Sequence, residues 1–285
     1  MADYIDLHTH SSASDGQLSP YELVCHAKNA GLSAIALTDH DTVSGIAEAM
    51  RAGEDIGLEV IPGIELSADY PREMHILGLF VDPASFQLQQ ACTRLYEFRA
   101  KRNRRMLEKM RTIGLAIDDS DVLRQKPGAE MESIGRVHMA LALIQKGYAT
   151  DVADAFDRYL GKGSAAYVER ERFSPVACID LIHAAGGYAF LAHPIYSEND
   201  PERLIALVSD LKKDGLDGVE CFHSAMADVY SNRLIELCRQ YDLMICGGSD
   251  FHGANKPRVK IGQAYGMRFI DAQVLKRIKQ VIGMD

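Results

Sequence analysis

The sequence predicts an α/β fold: a mainly parallel sheet, closed or nearly closed into a barrel, with a helical subdomain inserted into it. Three observations carry this prediction. Short apolar runs alternate with helical patterns, seven such runs occur, and the alternation stops between about Ala84 and Arg172. The first run is "YIDLHTH" at the start of the chain. It is followed by "AIALTDH" (34–40), "EVIPGIELS" (59–67), "HILGLFV" (75–81), "GYAFLAHP" (187–194), "DGVECFH" (217–223) and "LMICGGSD" (243–250). Each has the length and apolar content of a buried strand.

The segments between them carry helix signals. Ser19-Pro20 supplies a cap and a first residue, and Gly31 a stop; Ser174-Pro175 opens another helix that ends at Gly186-Gly187. Residues 84–172 hold helical patterns but no convincing strand. Within them, 94–111 carries eight Arg/Lys against two Glu. Two readings of that segment stay open: a solvated helix face, or a cap that meets an anionic substrate. The expected division is therefore a barrel of 1–83 and 173–285 with an inserted helical cap of 84–172.

Composition narrows the class. The chain has 285 residues, 47% hydrophobic and 25% charged, as in ordinary globular proteins. No run approaches the ~20 apolar residues needed to span a bilayer. The N-terminus shows no basic start and no apolar signal region, so a cytoplasmic location is expected. The six cysteines form no C-x-x-C pair and read as reduced core residues. A net charge of −9 argues against broad electrostatic binding of nucleic acid. It leaves room for a phosphate substrate if metal ions supply local positive charge. Nothing in the sequence identifies a stable protein partner.

Potential metal ligands gather at the strand ends. They are His8, His10 and Asp15; Asp39, His40 and Asp41; Glu65; His75; His193; Glu220 and His223; and Asp250 with His252. Most sit at C-terminal strand ends, where barrels build active sites. The exceptions are Glu65, inside its run, and His75, at the start of one. His8 and His10 share a strand face, as do Asp250 and His252, so each pair can reach one ion. Imidazole with carboxylate suits Mn, Fe or Zn, and the lack of Cys ligands disfavours a structural zinc. His26 and His183 lie inside helix patterns and read as structural. No G-x-S-x-G and no P-loop is present, so the pattern points away from a serine nucleophile.

The motifs "DLHTHSSASDG", "TDHDT", "PGIELS", "HILG", "LAHP" and "GSDFHG" resemble, in order, those of the PHP (polymerase and histidinol phosphatase) superfamily. The insert's "SIGRVHMALALIQKGY" and "FDRYLGKGSAAYV" are similar to the branch of 3′,5′-nucleoside bisphosphate phosphatases and 5′→3′ exoribonucleases. The resemblance implies a distorted seven-stranded (β/α)7 barrel that binds two or three divalent ions, with manganese the first candidate and iron or zinc also suitable. Carried over by position, His8, His10, Glu65 and Asp250 would hold one ion and Asp15, His40 and His252 a second. A bridging Glu65 with His75 and His193 would hold a third. His223 and Asp250 are the catalytic candidates. Asp39 and Asp41 flank His40; for Asp41, orienting an imidazole and capping a turn are both open.

The implied activity is hydrolysis of a phosphate monoester on a 3′,5′-bisphosphorylated nucleoside, with trimming of short RNA as an extension. A histidinol-phosphate-type phosphatase and an amidohydrolase are the alternatives. The "SIGRVH" insert disfavours the former, and the additional Asp15, His40 and Glu65 the latter. Ser133, Arg136 and His138, at a helix start, would bind the substrate's second phosphate; Lys162 is a weaker candidate. A plain helix cap with a surface Arg is the competing reading of the same segment.

Overall fold

The computed structural model describes residues 3–128 and 130–284. The chain packs as two compact units, Met1–Cys92 with Phe173–Asp285, and Thr93–Arg172. The division falls inside a long helix rather than at its start.

The first unit is built on one sheet. In chain order it contains β1 (Tyr4–Thr9), α1 (Pro20–Asn29), β2 (Leu32–Leu37), α2 (Ile46–Ile56), β3 (Glu59–Ser67) and β4 (His75–Leu79). From β4 the chain enters α3 (Phe86–Thr112), which runs into the second unit. That unit continues with α4 (Asp119–Leu123), α5 (Arg136–Gln145) and α6 (Val152–Ala155). The first unit resumes with α7 (Pro175–Ala184), β5 (Tyr188–Leu191), α8 (Pro194–Ser197), α9 (Pro201–Lys213), β6 (Gly218–Phe222), α10 (Asp228–Gln240) and β7 (Met244–Gly247). It ends with β8 (Gln263–Ala264), β9 (Arg268–Asp271) and α11 (Gln273–Ile282).

All seven expected strands form. The helix signals also act as written. Ser19 Oγ accepts from the Glu22 amide at 3.2 Å while the Glu22 carboxylate accepts from the Ser19 amide at 2.8 Å. Ser174 caps α7 in the same sense.

The strands are ordered β7-β6-β5-β4-β3-β2-β1-β9-β8. Two features depart from the sequence expectation. First, β4 runs antiparallel to both β3 and β5. The short return from Ser67 to His75 has no room for a crossover helix, so the chain comes back on itself. Second, a hairpin of β8 and β9 is added beside β1, with β9 antiparallel to it. The barrel is nearly closed by the segment after β7: Asp250 N donates to His8 O at 2.9 Å and His10 N to Phe251 O at 3.0 Å.

The core beneath the strand ends is apolar, with Ile5, Leu7, Ile61, Leu77, Leu79 and Phe190 fully or almost fully buried. The inserted unit has its own core around Met106, Leu107, Met110, Ile134, Met139 and Leu143. All six cysteines are free thiols; four are buried, but Cys25 and Cys92 are only partly so and are not core residues. No described helix is long and apolar enough to cross a membrane.

Candidate metal centre

The antiparallel turn of β4 resolves the odd placement of His75. Its strand runs the other way, so its first residue lies opposite Ser67, at the end where the parallel strands finish. Glu65 arrives from β3, bridged to His40 just past β2. His8 lies on β1, and His10 follows it. Backbone conformation also serves the site: His193 and Asp250 adopt φ of 26° and 60°, as does Asp41 at 58°. Each such residue costs about 1–3 kcal/mol and persists only where its surroundings hold it.

Glu65 is the hub. Its Oε1 stands 2.8 Å from His75 Nδ1, 2.9 Å from His193 Nε2 and 3.3 Å from His8 Nε2. Its Oε2 stands 2.9 Å from His40 Nδ1 and 3.3 Å from His10 Nε2. Asp250 Oδ1 lies 3.3 Å from His10 Nε2 and 3.7 Å from His8 Nε2. Asp15, half-exposed, reaches His252 Nε2 at 3.2 Å and His40 Nε2 at 3.9 Å.

Many of these approaches are close without being hydrogen bonds. His8 Nε2, both ring nitrogens of His10, His40 Nδ1, Glu65 Oε2, His193 Nδ1 and His223 Nε2 are buried and lack a hydrogen-bond partner. One unsatisfied buried polar atom costs about 1–3 kcal/mol, so seven in one cluster need an explanation. Lone pairs aimed at a common space are what a cation would satisfy. Four groups have ligand atoms within 4.8 Å of one another: His10, Asp15, His40 and His252; His8, His10 and Glu65; His40, Glu65 and His75; and Glu73, His75 and His193. The donor set is nitrogen and carboxylate oxygen, which fits a divalent transition metal.

Burial and the neighbouring His252 and His40 lower the His10 pKa to about 4, so at neutral pH its ring is uncharged and one of its nitrogens offers a lone pair. For His40 burial works downwards, but Glu65 and Asp15 outweigh it and the value rises to about 9. Glu65 is buried, yet His40, His75 and His8 hold it well below the usual carboxylate range. It is therefore an anion in the middle of imidazoles.

A model of the PHP domain matches residues 6–250. The chain belongs to the PHP domain family. A PHP relative in Haemophilus influenzae, a 5′-3′ exoribonuclease, is 36% identical over 256 residues, covering 88% of this chain and 91% of that protein. The 3′,5′-nucleoside bisphosphate phosphatase of Chromobacterium violaceum is 31% identical over 259 residues, covering 90% of each. A solved structure from Bifidobacterium adolescentis, described as a metal-dependent phosphoesterase, superposes with a TM-score of 0.82 at 32% identity and covers 99% of both chains.

Beyond the nine proposed PHP ligands, the structure gives positions to further residues around the centre. Glu220 Oε1 accepts from His8 Nδ1 at 3.0 Å and Oε2 from the His193 amide at 2.6 Å. This fixes the His8 tautomer and leaves Nε2 facing inward. Lys256 Nζ donates to Asp250 Oδ2 at 2.6 Å. Asp39 accepts from Ser11 N, Ser11 Oγ and Ser14 Oγ, so it ties down the loop that carries Asp15. Asp41 accepts from Ser67 N at 3.0 Å and so holds the end of β3. Asp6 anchors Ser249 and Gly262. Burial raises Asp6 and Asp39 to about 6. A sequence signal existed for Glu220, a carboxylate inside an apolar strand. None existed for Lys256. His223 Nε2 stands 3.5 Å from Asp250 Oδ2. His26 stacks on Phe251 and His183 pairs with Asp217.

The other four proposed residues lie in the inserted unit. Arg136 is the first residue of α5, and His138 Nδ1 accepts from the Gly135 amide at 3.0 Å. His138 is thus a helix cap through that nitrogen. Ser133 ends a separate short turn, with Oγ donating to Glu130 O at 3.0 Å. Lys162 is exposed.

Proposed function

We propose that this PHP protein is a metal-dependent phosphoesterase that removes a phosphate from a 3′,5′-bisphosphorylated nucleoside, and that it also trims short RNA. The observation that carries the reading is the set of seven buried, unpartnered nitrogen and oxygen atoms on the residues gathered around Glu65 and Asp250. The relatives, a bisphosphate phosphatase and a 5′-3′ exoribonuclease, both act on phosphoesters, the first a monoester and the second a diester.

In this proposal His8, His10, Glu65 and Asp250 hold one ion, Asp15, His40 and His252 a second, and Glu65, His75 and His193 a third. Manganese is the proposed metal, and iron and zinc suit the same donors. Such ions supply charge neutralisation at the phosphoryl oxygens and an activated water. The protein's own groups set the stage for this. Glu220 holds His8 with its Nε2 inward. Lys256 pins one oxygen of Asp250 and leaves the other toward His8 and His10. His223 Nε2, beside Asp250, is the group placed to hold a proton for the leaving oxygen. Arg136, with Ser133, His138 and Lys162, is assigned to the second phosphate; the stacking of Arg136 on Phe156 and Tyr167 fixes its side chain.

A phosphate-release screen over nucleotides and sugar phosphates tests the activity. Arg136→Ala tests the substrate assignment. It should lower kcat/KM on 3′,5′-bisphosphorylated nucleotides relative to a simple aryl phosphate by roughly 10- to 150-fold, the worth of a charge-assisted contact of about 1.5–3 kcal/mol. Equal losses on both substrates, or none, would mean that the "SIGRVH" segment is a structural cap.

A further inference from the structure

One ammonium stands among the ligands of the metal centre. Lys256 Nζ donates to Asp250 Oδ2 at 2.6 Å, and His223 Nε2 lies 3.5 Å from the same oxygen. Asp250 Oδ1 is left toward His8 and His10, at 3.7 Å and 3.3 Å from their Nε2 atoms. The lysine side chain is 43% exposed, whereas those of His8 and His10 are fully buried. Lys256 therefore stands at the solvent side of the centre.

The loop that carries it is held in place. Ala254 N donates to Gln17 Oε1 at 2.8 Å, Asn255 Nδ2 to Asp15 O at 2.8 Å and Gly262 N to Asp6 Oδ2 at 2.7 Å. These bonds join the loop to the segment that bears Asp15 and to β1. The framework that presents Asp15 to the centre thus presents Lys256 as well.

A charged donor is a poor choice for merely steadying a metal ligand. Asp6 and Asp39, two buried carboxylates that brace the centre, are held by backbone amides and serine hydroxyls. Such neutral donors fix a carboxylate without opposing a cation. An ammonium against Asp250 repels any dication that Asp250 helps to hold, so its charge is a cost to metal binding. Burial works against that charge as well, yet Asp250, and then Glu65 and Asp15, outweigh burial and hold Lys256 above the ordinary lysine range. An ammonium has three N–H donors. Asp250 is the one hydrogen-bond partner of Nζ among the described residues. Spare donors and positive charge at the solvent side of a metal centre suit an anion that arrives from solvent. A phosphoryl group is such an anion, and lysine binds it as a point charge.

We propose that Lys256 is a catalytic residue that contacts a non-bridging oxygen of the scissile phosphoryl group, where it meets the negative charge that builds in the transition state. The assignment to a scissile group rests on the function proposed above. Phosphate binding at this lysine does not. No bond to Lys256 forms and no proton leaves it. Its role differs from that of Arg136, which is assigned to the second phosphate: loss of Lys256 should strike every phosphoester alike.

The test compares Lys256→Gln and Lys256→Met in the full chain loaded with manganese. Gln keeps a neutral donor for Asp250 and removes the charge; Met removes both. Elemental analysis gives the manganese bound per chain, thermal unfolding checks the fold, and inorganic phosphate is titrated calorimetrically at saturating manganese. Wild type should bind phosphate saturably. Both variants should keep the wild-type metal content and bind phosphate roughly 10- to 150-fold more weakly, the worth of one charge-assisted hydrogen bond. Their manganese affinity should be unchanged or higher, because a like charge has gone. kcat/KM should fall by a similar factor on a bisphosphorylated nucleotide and on an aryl phosphate. A Lys256 that only tethers Asp250 would give another pattern. Lys256→Gln would then match wild type, and Lys256→Met would bind manganese weakly yet bind phosphate normally once manganese saturates. That pattern, undiminished phosphate binding in both variants, or no saturable binding in wild type overturns the proposal. If wild type hydrolyses no phosphoester, the proposed function fails, and the phosphate titration still decides whether Lys256 is an anion contact.

Discussion

The barrel centre and the inserted unit are opposites in kind. One gathers buried imidazole and carboxylate atoms that find no hydrogen-bond partner among the described residues: His8 Nε2, His10 Nδ1 and Nε2, His40 Nδ1 and Glu65 Oε2. The other holds two buried donors, Arg102 Nε and Arg172 Nε, that find no acceptor among the described residues. Folded proteins seldom leave such groups unsatisfied. At the centre, a cluster of nitrogen and carboxylate oxygen atoms is what a divalent cation satisfies. The two regions also differ in how they are held. The centre is fixed by backbone, with strained residues such as His193 and Asp250 and a web of carboxylate-to-amide bonds. Arg102 is instead carried on one helix, α3, beside Asn103, which donates to Met131 O and Ile134 O.

The largest expected effect breaks the first region outright. Chelation should abolish turnover, and manganese should restore it. His10→Ala, which removes two of the unpartnered nitrogens, should impair bisphosphorylated and aryl substrates alike, in contrast to Arg136→Ala. Steady-state rates on both substrates check this; a selective loss on one of them would move His10 out of the metal centre.

A smaller effect should come from a residue that only positions. Glu220→Gln keeps an acceptor for His8 but removes the charge that fixes its ring. Metal affinity should fall roughly 10- to 100-fold, as for other outer-sphere partners of a metal-binding histidine. Calorimetric titration of the metal-free chain measures it, and unchanged affinity would make Glu220 a packing residue.

Gly248→Ala sharpens the point that backbone builds the centre. A Cβ on Gly248 would lie 2.1 Å from His8 Cβ and 2.5 Å from His8 N. The strand carrying His8 must then shift, and overpacking of this kind costs about 1–3 kcal/mol. Urea unfolding should show the loss together with reduced metal binding. Wild-type stability would mean that the barrel seam is softer than its geometry implies. The smallest effect is expected at Lys162, exposed in the inserted unit. Lys162→Ala should change kcat/KM on bisphosphorylated nucleotides by no more than about 1 kcal/mol, or roughly 5-fold, the scale of a solvent-screened charge. A larger drop would make Lys162 a principal contact of the second phosphate rather than a peripheral one.

These two regions were not equally legible in the sequence. The strands of the barrel announce themselves as short apolar runs, and period-two spacing alone puts His8 and His10 on one face. The direction of β4 was not legible, because a run of apolar residues reads the same either way. The reversal matters, since it is what brings His75 to the other ligands. The β8–β9 hairpin was missed for a different reason: its strands are only two and four residues long, too short to show a hydrophobic pattern. Cys25 and Cys92 sit near apolar neighbours yet remain partly exposed, because burial depends on what packs against a helix. In the insert, the basic run was visible but not which arginine turns inward. The clue was there in phase: Arg102 falls on the same helical stripe as Leu95, Met106 and Met110, where a charge is out of place. The role of Lys256 depends on a loop that no local pattern describes.

The central claim is that the unpartnered atoms around Glu65 and Asp250 exist to hold cations. Elemental analysis of the purified chain, paired with its rate of phosphate release before and after chelation, tests this most directly. The account predicts two or three transition-metal ions per chain and loss of turnover in step with their removal. Full activity in a chain that carries no metal would contradict it.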